Sequence, residues 1–190
     1  MIGTIYITGE IGLDTTLLDV IKQVKAQASC DSYLVRIHSI GGFVDAGEAI
    51  YQYLTNLDKP ITTYATQAYS IASVIFMAGD QRIVPEGLEK TIMIHLPWME
   101  VAGSHDAITA HLSDLKATED KLVKFYSESL QIDKNTIQSL LTQETYLSAE
   151  QAFELGFANQ IQPAQKAVAK LNNKETEEQN SFMNKLEKQI

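Results

Sequence analysis

The sequence predicts one α/β domain built on a largely parallel sheet, followed by a polar tail. Two observations predict it. Short β-branched and aromatic runs alternate with amphipathic helical runs, and the changes of pattern fall at glycines and prolines. The 190 residues are also enough for one domain of ordinary size with a real core. The domain is expected over residues 1–163, with a polar tail over 164–190.

Residues 4–8 (TIYIT) read as a first strand that stops at Gly9. The following run places Leu17, Ile21, Val24 and Ala28 on one helical face. Residues 33–39 (YLVRIHS) read as a second, buried strand, broken by Gly41-Gly42, and residues 44–57 as a helix. After Pro60, residues 61–66 read as a third strand and 70–78 as a short apolar helix ending at Gly79. "QRIVP" and "KTIMIH" read as two more short strands. Pro97 and Gly103 then bracket a loop, and a long helix is expected over 105–130. Its stripe of Ile108, Leu112, Leu115, Leu122 and Phe125/Tyr126 is more than a small domain covers, which predicts an oligomer contact along this helix. "SAEQAFELG" reads as a helix with a capping box from Ser148 to Gln151 and a stop at Gly156. Past Pro163 the chain turns polar and charged, and its last stretch, "SFMNKLEKQI", has the pattern of a short amphipathic helix.

Composition excludes several classes of function. The formal net charge of -9 argues against nucleic acid, which requires clustered Lys and Arg. No apolar run is long enough to span a bilayer, and the start of the chain lacks a basic-then-apolar signal pattern. The single cysteine, Cys30, allows neither an internal disulfide nor a cysteine-based zinc site. A cytoplasmic protein without membrane or nucleic-acid partners is expected.

Three places carry candidate chemistry. Ser70 stands at a strand-to-helix turn, where it is either a helix cap or a nucleophile beside the free N–H of Ile71. In "SIGG", residues 39–42, the paired glycines permit a sharp turn and a close backbone approach, and Gly41 offers a second amide toward an oxyanion. His95 closes an apolar strand just before a proline loop, but His38 also ends a strand, so position does not choose between them. His105 and His111 fall on the long helix, and no metal-ligand spacing connects the four histidines.

Taken in order, "HSIGGFVDAGEAIY", "TQAYSIASVIFMAG", "IMIHLP" and "ETYLSAEQAFELGFAN" resemble the proteolytic subunits of the Clp peptidase family and their relatives among phage head-maturation proteases. The resemblance implies the Clp peptidase/crotonase-like fold of spiral ββα units with a long protruding helix. By matched position it implies Ser70 as nucleophile, His95 as general base, and Gly41 and Ile71 as oxyanion-hole amides. The third triad position, an Asp in typical members, is Glu144 here. The family's "SPGG" is "SIGG", and its frequent glycine two residues after the nucleophile is Ala72. The implied activity is that of a serine endopeptidase with no metal or organic cofactor. The implied partners are peptide or protein substrates and copies of itself, commonly in a heptameric ring. Because the first strand begins so early, an unfolding ATPase partner is not expected. The "ETY" spelling tilts the reading toward capsid or scaffold processing. Two other readings stay open at this stage: a crotonase-type acyl-CoA enzyme, and a catalytically degenerate Clp-like assembly subunit.

Overall fold

The first strand, β1 (Ile2–Ile11), is longer than the pattern indicated and leads through α1 (Leu17–Ala26) to β2 (Ser32–Gly42) in the computed structural model, which describes residues 1–164. Next come α2 (Val44–Thr55), β3 (Ile61–Tyr69), α3 (Ile71–Phe76), β4 (Gln81–Pro85) and β5 (Ile92–Ile94). The remainder is α4 (His105–Leu130), α5 (Lys134–Thr142), β6 (Thr145–Leu147), α6 (Ala149–Glu154) and β7 (Gln160–Gln162). The strands form a seven-stranded sheet whose main path, β1-β2-β3-β4-β7, is parallel throughout. β3 is shared: Thr62, Thr63 and Tyr64 pair with β4, while Ala68 and Tyr69 pair with β5. β5 in turn pairs antiparallel with β6. The mixed α/β layout with its parallel sheet agrees with the Clp peptidase/crotonase-like expectation. The tail expected from residue 164 onward, with its terminal helix, lies outside the described residues apart from Ala164.

β2 is not buried on both faces. Tyr33, Val35, Ile37, Ser39 and Gly41 face the core, while Arg36, His38 and Ile40 are exposed. The strand also runs through Gly41-Gly42 instead of stopping at them. Two register shifts lie at this end of the sheet. Gly9 pairs with Ser39 but Glu10 with Gly41, so Ile40 is an extra residue in β2. Ile37 pairs with Ala65 but His38 with Gln67, so Thr66 is an extra residue in β3. In β3 the extra residue inverts the inside-outside alternation beyond it. Ile61, Thr63 and Ala65 are buried before the bulge and Ala68 after it. Position 70, not 69, therefore continues the inward side.

The helices fall close to the sequence reading, with informative differences. In α1 a complete capping box between Thr16 and Asp19 fixes the start, and the helix ends at Ala26. Val20 and Val24 are its buried residues, while Ala28 lies past the helix end and is exposed. α4 has the predicted bounds, but its stripe divides. Leu122, Val123 and Tyr126 are buried in the domain's own core, whereas Leu112 is 58% exposed. Only the first half of the helix therefore presents apolar surface, and Leu122 does not belong to it. α5, β6 and β7 were not anticipated. Asp133 announces α5 by accepting from the backbone N–H groups of Asn135 and Thr136, and Ile137 and Leu141 bury its inner face. β7 is too short for its period to be read. The capping box at Ser148 and Gln151 is present as expected. No helix among the described residues is long and apolar enough to cross a membrane.

α2 is brought close to α3 by a glycine. A methyl group added at Gly47 would overlap Ile71 Cγ1, and both residues are buried. Gly47→Ala should destabilise the fold by about 1–3 kcal/mol, the usual cost of overpacking a filled interior. Chemical denaturation of the variant beside wild type checks this. An unchanged midpoint would mean that α2 can shift without loss.

Candidate active site

Parallel pairing sets the ends of β3 and β5 side by side, and ligands of open parallel sheets gather beyond strand C-termini. Ser70 follows β3, and its N–H donates to the Met93 carbonyl of β5 at 2.8 Å. His95 follows β5 and turns toward the same point. His95 Nε2 lies 2.8 Å from Ser70 Oγ, within reach for proton transfer. His38 is excluded from this pair: its Nδ1 meets Thr66 Oγ1 at 3.0 Å on the exposed face of the sheet. His105 and His111 are exposed on α4.

Ser70 is not an N-cap in the ordinary sense, because its side chain makes no capping hydrogen bond. Its backbone stands at φ 53°, ψ -129°, a conformation that costs a non-glycine residue about 1–3 kcal/mol. This is the sharp turn that lifts a hydroxyl out of a strand-to-helix junction, achieved here without the G-x-S-x-G spelling. Ile71 opens α3, so its N–H has no acceptor within the helix, and no described backbone bond outside it engages that group.

Gly41 packs directly on Ser70. A Cβ at Gly41, where φ is 97°, would come within 2.6 Å of Ser70 Cβ and 2.8 Å of the Tyr69 carbonyl oxygen. No side chain fits there. Its N–H is not free, however: it donates to Ser39 Oγ at 3.1 Å, and that hydroxyl donates onward to the Gly9 carbonyl at 2.6 Å. Ser39 was not singled out from the sequence. Its place two residues before a glycine, facing inward, is the only signal it gives.

Glu144 is carried toward His95 by the backbone. In the antiparallel register Ile94 pairs with Thr145, so one further step sets residue 95 opposite residue 144. Its carboxylate nevertheless accepts from Tyr146 Oη at 3.0 Å, and no described hydrogen bond joins it to His95. Tyr146 was also missed in the sequence. Its ring packs edge-on against Tyr69 at 5.4 Å and lies under the Lys90 ammonium at 4.7 Å. The Glu144 charge still reaches the imidazole. Burial pushes the His95 pKa down and the Glu144 carboxylate pulls it up, with burial the larger effect, so His95 titrates below the ordinary 6.5.

Ser70 and His95 open on a small cleft lined by Val44, Ile71, Pro97, Leu122 and Tyr126. The lining is mainly apolar. Among the described residues no group of three or more His, Cys, Asp or Glu is arranged to hold a metal ion.

A family model described as Clp protease matches residues 3–165 of the chain. An ATP-dependent Clp protease proteolytic subunit of Bdellovibrio bacteriovorus is 28% identical over 135 residues, which cover 69% of this chain and 64% of that relative. The chain thus spans a little under two thirds of that relative's length.

The opposed influences on His95 give a signed expectation. Its ring should titrate below 6.5, and Glu144→Gln should move the midpoint lower still, because the variant removes the one charge that favours the imidazolium. NMR titration of the ring checks both shifts. A midpoint unmoved by Glu144→Gln would disconnect the carboxylate from the imidazole.

Proposed function

The chain belongs to the Clp protease family, and on that premise we propose that it is a serine endopeptidase acting on unfolded or flexible polypeptides. The observation that carries the reading is the 2.8 Å contact between Ser70 Oγ and His95 Nε2 beside a strained turn. In the proposed cycle His95 takes the Ser70 proton as Oγ attacks a peptide carbonyl. The oxyanion that forms accepts from the Ile71 N–H. His95 passes the proton to the leaving amine, and water repeats the sequence on the acyl-enzyme. A neutral imidazole is needed at the start, and burial of His95 favours one. For Nε2 to accept, the ring proton must sit on Nδ1, the tautomer that a carboxylate at position 144 would favour.

Gly41 enters the proposal with a condition. Its N–H can serve the oxyanion only by leaving Ser39 Oγ, so Ile71 is the donor ready at rest. One such donor contributes about 3–4 kcal/mol in other serine peptidases. Glu144 likewise acts through its charge in this arrangement, and through a hydrogen bond only after leaving Tyr146. The apolar pocket suits an apolar substrate side chain.

Two finer parts belong to the same proposal. Self-association uses the first half of α4, whose Leu112 is exposed while Leu122 is spent on the core. Cleavage of flexible chains, such as capsid or scaffold tails, does not wait on an unfolding ATPase, because such chains need no unfolding before they reach the serine. The relative from Bdellovibrio bacteriovorus carries "ATP-dependent" in its name, so this part of the proposal departs from what that name says of the relative.

An active-site serine probe should label Ser70, and Ser70→Ala and His95→Ala should each cut peptide hydrolysis by roughly a thousandfold or more, the double variant being little worse. An unfolded protein should be cut without ATP. Hydrolysis surviving in Ser70→Ala would end the reading, and acyl-CoA binding without labelling would favour the crotonase-type reading. Separately, Leu112→Glu should lower the mass found by light scattering, while an unchanged mass would place the contact elsewhere.

A further inference from the structure

Behind the strained turn lies a buried pair of hydroxyls that the proposed cycle leaves unused. Ser73 Oγ donates to the Ser70 carbonyl at 2.6 Å, and Ser73 N–H donates to the same oxygen at 3.0 Å. A serine hydroxyl has one proton. With it committed to Ser70, the 2.7 Å contact between Ser73 Oγ and Tyr126 Oη requires the tyrosine to donate. The chain of donors therefore runs from Tyr126 through Ser73 to the carbonyl of Ser70. Both residues are buried, Ser73 completely and Tyr126 to within 2%. Burial raises the phenol's pKa, so it keeps the proton it donates.

We infer that Ser73 and Tyr126 are positioning residues that fix the plane of the Ser70–Ile71 peptide and so aim the Ile71 N–H at the oxyanion. The inference rests on the serine-peptidase reading. Its physical basis is the planarity of the peptide bond. In a trans peptide the C=O of one residue and the N–H of the next point in opposite directions. Whatever holds the Ser70 carbonyl inward therefore holds the Ile71 N–H outward. The hold matters because Ser70 sits at φ 53°, ψ -129°, far from the left-handed minimum, and turning this plane toward that minimum would carry the Ile71 amide away.

A first-turn serine bonded to the carbonyl three residues back is common and often changes nothing. Two features set this one apart. The carbonyl belongs to the proposed nucleophile, and the second hydroxyl comes from α4, a separate element that also lines the pocket. A hydrogen-bond chain of this kind strengthens each link while excluding water. Nothing in the pair touches the reacting atoms. It acts through the amide it orients.

The test is steady-state hydrolysis of a fluorogenic peptide by Ser73→Ala, Tyr126→Phe and the double variant, with Ser70 labelling and thermal unfolding measured alongside. Removing an oxyanion donor outright costs roughly 10²–10³ in kcat, and misaiming one should cost about 10–100-fold. That loss is expected in kcat for Ser73→Ala and, to a smaller degree, for Tyr126→Phe. KM and the pH at which His95 ionises should hold steady, and the double variant should be no worse than Ser73→Ala. A fall in melting temperature with kcat unchanged would reduce the pair to ordinary packing and overturn the inference. So would a rise in KM alone, which would make Tyr126 only a pocket wall. If Ser73→Ala does not fold, Tyr126→Phe carries the same comparison. Wild type that is neither labelled nor hydrolytic would remove the peptidase reading and this inference with it. Labelled, active wild type beside unaffected variants would sink the positioning role alone.

Discussion

One backbone conformation governs the site: Ser70 at φ 53°. A residue with a side chain stays there only if its surroundings insist, at a cost of about 1–3 kcal/mol. Here they do so through both of its peptide groups. The N–H is tied to Met93 on β5, and the carbonyl to the N–H and hydroxyl of Ser73. At about 0.5–1.5 kcal/mol net for each hydrogen bond, these contacts offset the strain. They also make the turn depend on three elements at once. β5 must pair with the end of β3, α3 must begin immediately, and α4 must bring Tyr126 beneath it.

The sheet prepares this turn earlier than the turn itself. Strict alternation along β3 would send residues 61, 63, 65, 67 and 69 inward, leaving Ser70 to face out. The extra residue at Thr66 reverses that order before the strand ends. In β2 the core-facing order 33, 35, 37, 39 and 41 runs through the extra residue at Ile40 without inversion, and Gly41 arrives against Ser70 with no side chain to collide. Bulges near reacting groups commonly serve to re-aim side chains in this way. Here two adjacent strands are each offset by one residue, and the offsets meet at the serine.

That geometry explains which parts of the protein were legible in the sequence. The alternation of strands and helices gave the fold, since period and punctuation reflect burial directly, and α4 was placed to the residue. The structure brings Ser70 and His95 together, a pairing that the order of the four motifs suggested and that position alone did not, since His38 also ends a strand. The bulges were not legible, because a one-residue offset leaves no trace in composition. Plain alternation along β2 leaves its other face open and turns His38, a fair rival to His95 on paper, away from the core. Ser73 and Tyr126 were hidden for a different reason. Both look like parts of an apolar face, and only three-dimensional packing joins residues so far apart in the chain.

The substitution at the third position is where sequence and structure bear on each other most closely. Glu144 occupies the place opposite His95 that the β5–β6 register supplies, so the backbone keeps the role available. With φ at 50° and one more methylene than aspartate, its carboxylate instead reaches Tyr146. The distinction between field and hydrogen bond then becomes physical. A charge at this distance raises the imidazole pKa without fixing its tautomer, while a hydrogen bond to Nδ1 would do both. Moving from one to the other exchanges a single exposed hydrogen bond for another, a difference of about 1 kcal/mol or less. The packing of Tyr146 against Tyr69, the residue immediately before the proposed nucleophile, sets that small balance. Glu144, held on Tyr146, and the turn that presents the serine thus meet at one aromatic contact.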